Sequence, residues 1–292
     1  MNKFYYRVYG LNVESEIRMD ELEPIDKDSN IDLKIVMGQR LKEVKKIKRE
    51  KKEKQDILIT AKDVAHYYVK NGNYILIEAK EDATDEDIIA FLLGWAIGRI
   101  MIQRNMLALH AATVVVDGKG IILAGKSGAG KSTLTNRFTA EGYKFSSDEI
   151  SSISFIENKP FVNPAYCLQK VTSLGLERSR YDKDRFFDIR SNRHAIEPRE
   201  DFVNEVVSLA AVVDISVGEN EELIFEELKG SEKIEVFLRN IYGINTARRH
   251  GLDNGYFMDA MKIAKQIPVF RIVRPIDRDT VDEQMNFILA NF

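Results

Sequence analysis

Hydrophobic and polar residues alternate along much of the first third of the chain. The alternation is weak and rich in aromatic residues over 3–36, and it returns over 56–80, where NGN at 71–73 separates two apolar runs. A period of two is typical of strands with one buried face, and an Asn-Gly pair between apolar runs indicates a hairpin turn. The pattern therefore predicts a β-rich N-terminal region over residues 1–80.

After residue 80 the pattern becomes helical. Thr84 is a candidate N-cap followed by acidic residues, and the apolar stretch 88–102 has hydrophobic side chains around most of its circumference, which indicates a buried helix. The stretch is shorter than the ~20 residues that cross a bilayer, and Arg99 interrupts it, so we predict no membrane span. From about residue 106 apolar strands alternate with helices, which predicts an α/β domain over 81–292.

Composition and charge narrow the class of protein. Hydrophobic residues make up 44% and charged residues 30%, and the net charge of −3 gives no bias towards nucleic acids or membranes. The segment 42–54 holds eight basic and three acidic side chains. We interpret it as a solvated hairpin or helix face, with a docking strip for an acidic peptide as the alternative. The single cysteine, Cys167, and the absence of an export-signal pattern at the N-terminus predict a cytoplasmic protein.

The strongest motif is AGKSGAGKST at 124–133, which fits the pattern G-x-x-x-x-G-K-[ST]. Glycines let several backbone N–H groups point at one phosphate, and the helix that begins at Lys131 adds its positive end. In such loops the lysine reaches the β and γ phosphates and the serine, here Ser132, binds Mg²⁺. An apolar strand precedes the motif and a helix follows it, so we predict a nucleotide-binding loop formed by Gly125, Lys126, Ser127, Gly128, Ala129, Gly130, Lys131, Ser132 and Thr133.

Two further features bear on where the terminal phosphate goes. Asp148 and Glu149 follow the strand YKFSS, which comes after the loop's helix. If that strand lies beside the strand of the loop, the carboxylates face the γ-phosphate, where one can accept a proton from an attacking hydroxyl and the other can hold metal-bound water. His110 lies on the strand entering the hairpin before the loop, a position at which an isolated histidine is more often structural.

A competing pattern suggests a different class of protein. The apolar run LAAVV at 209–213 is followed by Asp214, and a strand that finishes in an aspartate is the pattern of the metal-holding strand of motor-type ATPases. A P-loop ATPase that uses hydrolysis as a switch, with Asp214 on the metal, is therefore a second hypothesis. A third is a non-catalytic regulator that binds a nucleotide. No N-K-x-D stretch occurs, which disfavours specificity for guanine.

The segment LHAATVVVDGKGIILAGKSGAGKSTLTNRFTAEGYKFSSDEIS resembles the catalytic core of the HPr serine kinase/phosphorylase group. In that group a histidine strand, a short hairpin, a phosphate loop and an acidic pair follow one another, which matches His110, Gly125 to Ser132, Asp148 and Glu149. The wider resemblance is to smaller HPr kinase-like proteins of biosynthetic gene clusters, such as kinases of lasso peptide precursors. It is strongest over 84–155, and it implies an HPr kinase/PEP carboxykinase-like P-loop core behind the β-rich region.

The resemblance implies a serine kinase that uses ATP and Mg²⁺, with a serine-containing peptide as the favoured acceptor and HPr or free serine as alternatives. Asp148 would take the serine proton, Glu149 would support the metal together with Ser132, and His110 would orient Asp148 or contact the γ-phosphate. A homo-oligomer is possible. The glycine-rich segment that follows the acidic pair in the bifunctional HPr enzymes has no counterpart here, so phosphorylase activity is not carried over.

A phosphoryl-transfer site also needs a cation near the transferring group. Arg248 and Arg249, in the segment NTARRHG, are candidates that we expect in a loop between helices, although a solvated surface position suits them equally. Lys170, in CLQK, is a candidate for the acceptor side of the site.

Overall fold

A computed structural model describes residues 2–38, 56–171, 176–177, 179–189, 193–249 and 254–292. These residues form two compact units, Met1–Met106 with Gly243–Leu252, and Leu107–Tyr242 with Asp253–Phe292. The lysine-rich segment 42–54 lies outside the described residues. The domain boundary after residue 80 stays a prediction. Over the described residues, no helix is long and apolar enough to cross a membrane.

The first unit is built on a seven-stranded sheet in the order β3-β1-β2-β4-β7-β6-β5. Its strands are β1 (Phe4–Val8), β2 (Leu11–Ser15), β3 (Glu23–Pro24), β4 (Leu33–Met37), β5 (Ile57–Ala61), β6 (Ala65–Lys70) and β7 (Tyr74–Ala79). Asn71 and Gly72 have φ angles of 54° and 68° and form the predicted turn between β6 and β7. Lys70 pairs with Tyr74, so the loop has three residues, and its left-handed Asn-Gly pair matches the right-handed twist of the flanking strands.

The predicted buried helix follows β7 and is interrupted. It consists of α1 (Asp85–Phe91), a π-helical turn (Leu92–Ala96) and α2 (Ile97–Gln103). The predicted cap is confirmed, because the Thr84 hydroxyl accepts a hydrogen bond from the Asp87 N–H at 3.2 Å. The π-helical turn was not predicted, since one extra residue per turn leaves no trace in a segment that is apolar on nearly every side.

The second unit contains a nine-stranded sheet and a separate three-stranded sheet. Its strands are β8 (Leu107–Leu109), β9 (Ala111–Val116), β10 (Lys119–Ala124), β11 (Lys144–Ser147), β12 (Ser151–Ile156), β13 (Lys159–Asn163), β14 (Gln169–Val171), β15 (Phe187–Ile189), β16 (Arg193–Ile196), β17 (Val207–Gly218), β18 (Ile224–Glu227) and β19 (Val269–Pro275). The large sheet has the order β11-β9-β10-β17-β13-β12-β8, with β19 on β17 and β18 on β19. The small sheet has the order β14-β16-β15.

Helices accompany this sheet, and the predicted α/β class with a β-rich N-terminal region is confirmed. The helices are α3 (Lys131–Ala140), α4 (Ser231–Arg239), α5 (Ile244–Arg249), α6 (Asn254–Ala264) and α7 (Val281–Asn291), of which α5 belongs to the first unit. Leu134 and Phe138 of α3 and Ile288 of α7 pack on Leu123 of β10 and Val213 of β17 in one buried cluster. Burial of these side chains fixes α3 on the sheet and thereby fixes the loop that leads into it.

Strand pairing explains where the functional residues lie. The central strands β10, β17 and β19 are parallel, and β9 forms an antiparallel hairpin with β10. Strand β11 pairs with β9 and not with β10, so the condition that β11 lies beside the strand of the loop is not met. The tight β9–β10 hairpin occupies one side of β10 and the parallel strand β17 occupies the other, which leaves β11 the outer edge of β9.

Candidate active site

The phosphate-loop motif lies between β10 and α3, as predicted. Gly125, Gly128 and Gly130 have φ angles of 138°, 84° and 109°, a region that residues with a side chain rarely adopt. At Gly125 a Cβ atom would come within 2.2 Å of the backbone oxygen of Ile215 in β17. The glycine is therefore required both by its own backbone and by the strand beside it.

Lys131 begins α3 and is only 7% exposed. Its Nζ donates hydrogen bonds to the backbone oxygens of Gly125, at 2.6 Å, and Lys126, at 3.3 Å. Burial lowers the pKa of this ammonium below its ordinary value of 10.5, and the negative charges of Asp148 and Glu149 oppose the shift. The acidic pair therefore lies within electrostatic reach of the lysine of the phosphate loop.

The remaining residues of the loop differ in exposure. Lys126, Ser127 and Thr133 are exposed, Ser132 is half-buried and Ala129 is buried. Backbone N–H groups at the start of a helix carry no intrahelical partner, and here the first turn of α3 follows directly on the left-handed Gly130. The arrangement of donors and ammonium fits a bound phosphate chain.

The β9–β10 hairpin fixes His110 relative to the loop. Ala111 of β9 pairs with Ala124 of β10 as the last pair of the ladder, and His110 and Gly125 directly adjoin that pair. His110 lies between β8 and β9. The His110 N–H donates to the backbone oxygen of Asn240 at 2.7 Å, and its ring lies 6.3 Å from the ring of Tyr242, centroid to centroid. His110 is therefore placed at the phosphate-loop end of the hairpin.

The acidic pair lies at the same end of the sheet. Asp148 and Glu149 follow β11, and the Glu149 backbone oxygen accepts a hydrogen bond from the Ala111 N–H at 3.2 Å. Although β9 separates β11 from β10, both strands run in the same direction, so the residues after β11 and the loop after β10 share one edge. The structure thus brings together three predicted groups, the acidic pair, His110 and the loop with Lys131.

Lys170 contacts both members of the acidic pair. Its backbone N–H donates to Asp148 Oδ2 at 2.9 Å, and its Nζ lies 2.5 Å from Glu149 Oε2. Asp148 is 9% exposed, and the side chains of Lys170 and Glu149 are 17% and 24% exposed. Strand β14 therefore orients the carboxylate of Asp148 and balances the charge of Glu149 from the small sheet.

Asp214, the candidate metal ligand of the ATPase hypothesis, does not end its strand. Strand β17 continues to Gly218, and Asp214 is 3% exposed beside Ala124 at the end of β10. Its carboxylate forms an ion pair with Arg239 and accepts a hydrogen bond from Asn240 Nδ2 at 3.4 Å. These groups at the end of α4 engage both carboxylate oxygens.

Arg248 and Arg249 lie in α5 and not in the loop that the sequence suggested. This helix belongs to the first unit, whereas the phosphate loop belongs to the second. Their proximity to a phosphate therefore stays a prediction.

Two residues near the loop were missed at the level of sequence. Arg274 in β19 donates from Nε to the Ala129 oxygen at 2.9 Å and from Nη2 to the Gly128 oxygen at 3.3 Å. Asn240 accepts a hydrogen bond from the Gly125 N–H at 3.2 Å. Both contacts join segments more than a hundred residues apart, so no local pattern signals them.

Two side chains of the site are of a chemical type that can bind Mg²⁺ together with a nucleotide. Among the residues that the structure describes, no group of three or more His, Cys, Asp or Glu side chains is placed to hold a metal ion. Mg²⁺ is usually bound by one or two protein groups together with substrate phosphates. Ser132, at the start of α3, and Glu149 are of the right chemical type for such shared coordination.

Comparisons with known proteins give limited similarity. Residues 75–164 match the family described as SynChlorMet cassette protein ScmC, a segment that spans β7 to β13 and contains His110, the loop and the acidic pair. A solved structure described as the Hpr(Ser) kinase/phosphatase from Coxiella burnetii is similar at 13% sequence identity with a TM-score of 0.34, covering 63% of this chain and 94% of that one. No curated protein matches. Similarity of this extent assigns no activity to the chain.

Proposed function

We propose that the protein is a kinase that transfers the γ-phosphate of ATP to a serine hydroxyl. The observation that carries the proposal is that the acidic pair and the phosphate loop lie at the same end of the sheet, since Ala111 pairs with Ala124 and its N–H donates to the Glu149 backbone oxygen at 3.2 Å. A loop of this kind binds phosphates in many classes of protein. A buried carboxylate beside the loop adds what a transferase needs, a group that accepts the proton of an attacking hydroxyl.

In this proposal the backbone N–H groups of residues 126–131 and the ammonium of Lys131 hold the phosphates. Burial of Lys131 strengthens its interaction with them, because charges interact more strongly where water is excluded. Ser132 and Glu149 hold Mg²⁺, which when bound neutralises charge on the transferring phosphoryl group. Catalysis consists mainly of positioning and charge neutralisation, as is usual for phosphoryl transfer.

Asp148 acts as the general base. Its Oδ2 accepts a hydrogen bond from the backbone N–H of Lys170, and this contact orients the carboxylate. The serine hydroxyl gives its proton to Asp148 while its oxygen attacks the γ-phosphorus and ADP leaves. His110, which directly precedes β9 at the loop end of the hairpin, orients Asp148 or contacts the γ-phosphate.

The contacts of Asp214 favour this proposal over a P-loop ATPase. An ATPase would need the Asp214 carboxylate for metal-bound water, yet its oxygens are engaged by Arg239 and Asn240. Asp148, by contrast, is followed directly by a second carboxylate, and the negative charges of both favour the protonated form of Lys131.

A serine in a precursor peptide is the acceptor that we propose, with HPr and free serine as alternatives. This choice rests on the sequence resemblance to HPr kinase-like proteins of biosynthetic clusters.

The test is transfer of label from γ-labelled ATP with Mg²⁺ to a panel of acceptors. The panel contains free serine, HPr protein and the peptides encoded by small reading frames beside the gene, and products are identified by mass. We expect Asp148→Asn to lower the transfer rate by about 10²–10⁴-fold, the usual contribution of a general base, with ATP affinity changed less than about threefold. Asp117→Asn is the matched control, because Asp117 lies exposed in the turn at the other end of the β9–β10 hairpin.

Three outcomes separate the hypotheses. Loss of transfer in Asp148→Asn, with ATP still bound, supports the kinase. Loss of ATP turnover in Asp214→Asn, with Asp148→Asn active, supports the ATPase. ATP binding without turnover with any acceptor, in the wild type and in both variants, supports the non-catalytic regulator.

A further inference from the structure

Asn240 connects the phosphate loop to two other parts of the site. It is 7% exposed and follows directly on α4. Its Oδ1 accepts a hydrogen bond from the Gly125 N–H at 3.2 Å, and its backbone oxygen accepts one from the His110 N–H at 2.7 Å. A single residue therefore holds both the first residue of the loop and His110.

The orientation of the Asn240 amide is determined by its other partners. Its Nδ2 donates to the Val236 backbone oxygen at 2.8 Å and to Asp214 Oδ1 at 3.4 Å. Both partners are acceptors, so the NH₂ group must face them and the amide oxygen must face Gly125. Asp214 is held in turn by Arg239, the residue before Asn240.

Gly125 depends on this contact for its position. Its φ of 138° is a conformation of low intrinsic preference, and its backbone oxygen accepts the hydrogen bond of Lys131 Nζ. A buried N–H group that has lost its hydrogen-bond acceptor is unfavourable, so the backbone conformation that buries it is destabilised. Loss of the Asn240 amide would therefore free Gly125 to move, and the lysine with it.

We propose that Asn240 is a positioning residue for nucleotide binding, acting through Gly125 and His110, with Asp214 as the group that orients its amide. The proposal deepens the proposed function and rests on it for the nature of the ligand. It also assigns Asp214 a role, the support of the loop from β17, that differs from metal binding.

The test uses ADP, because ADP binding requires the phosphate loop and no acceptor. Asn240→Ala is expected to weaken ADP binding about tenfold, the equivalent of one buried hydrogen bond with its desolvation, as measured by displacement of a fluorescent ADP analogue. Asn163→Ala is the matched control. Asn163 is 6% exposed in β13 of the same sheet, and its amide bonds to Ser152 and Ser154 and not to the loop.

Both alanine variants are expected to unfold at a lower temperature, since each loses a buried amide. Only Asn240→Ala is expected to lose ADP affinity, and this difference separates positioning from general stability. If Asn240→Ala does not fold, Asn240→Ser replaces it, because a serine hydroxyl can bond to the Val236 oxygen one helical turn back but is too short to reach Gly125. The serine variant is expected to show the same loss.

Equal ADP affinity in the wild type and in a folded Asn240 variant would overturn the proposal while leaving the kinase untouched. An equal loss in Asn163→Ala would overturn it as well, because the effect would then be one of stability. A selective loss in Asn240→Ala together with no phosphate transfer to any acceptor would support the positioning role and count against the kinase.

Discussion

Gly125 has no space for a side chain, and its replacement by alanine should damage both stability and nucleotide binding. The added Cβ would lie 2.2 Å from the Ile215 oxygen and 3.2 Å from the Ile215 carbonyl carbon. Both atoms belong to the backbone of β17, a central strand that pairs with β10 and β19, so no rotation of a side chain relieves the contact. The chain at Gly125 must move instead, and it carries the hydrogen bonds to Asn240 and Lys131.

The expected loss follows from these contacts. A residue with a side chain in a sparsely populated backbone region costs about 1–3 kcal/mol, and each hydrogen bond lost adds about 1 kcal/mol. We expect Gly125→Ala to lower the free energy of unfolding by about 3 kcal/mol, a large share of the roughly 5–15 kcal/mol that a typical protein has. For a unit of this size the loss corresponds to a fall in Tm of about 6–12 °C.

Gly118→Ala is the control for the backbone conformation alone. Gly118 has a φ of 74° in the turn at the other end of β10, and a Cβ there would meet no atom within 4 Å. Its replacement is expected to cost about 1–2 kcal/mol and to leave ADP affinity unchanged. Thermal unfolding by circular dichroism and ADP displacement are measured on the wild type and both variants. A Gly125→Ala protein that melts no lower than Gly118→Ala, or that binds ADP equally well, would refute the reasoning.

Two further predictions concern Lys170 and Cys167. Lys170→Met removes the cation that lies 2.5 Å from Glu149. We expect the affinity of the ADP-bound protein for Mg²⁺ to rise about fivefold, as measured by a Mg²⁺ titration. An unchanged or lower affinity would show that Lys170 and the metal do not compete for Glu149. Burial raises the pKa of the Cys167 thiol to about 12, so the thiolate fraction is small at pH 8. We therefore expect a thiol reagent to modify Cys167 only in denaturant. Rapid modification of the native protein at pH 8 would contradict this prediction.

The parts of the fold and of the site that could be predicted are those that depend on contiguous sequence. The phosphate loop and the cap at Thr84 each depend on neighbouring residues, and both have the predicted form. The sequence indicates that the acidic pair follows β11, but it does not show which strand β11 pairs with. With β11 on the outer side of β9, the acidic pair still lies at the end of the sheet that carries the loop, because β11 and β10 run in the same direction.

The parts that were missed depend on tertiary contacts. Asn240 and Arg274 reach the loop from segments 115 and 145 residues away, and each looks like an ordinary surface-helix or strand residue in the sequence. The aspartate after the apolar run predicts a strand end at Asp214, whereas β17 runs on to Gly218. The strand continues because its pairing with β19 extends to Gly218, and Arg239 forms an ion pair with the buried Asp214 carboxylate.

The β9–β10 hairpin also offers a practical site for a reporter group. Its turn at Asp117 and Gly118 is exposed, and six residues of each strand, about 20 Å at 3.3 Å per residue, separate it from the end that carries His110 and Gly125. A short tag or dye inserted there would leave the register of Ala111 with Ala124 intact. An insertion within either strand would instead shift His110 relative to the loop by a full residue and turn alternate side chains to the opposite face.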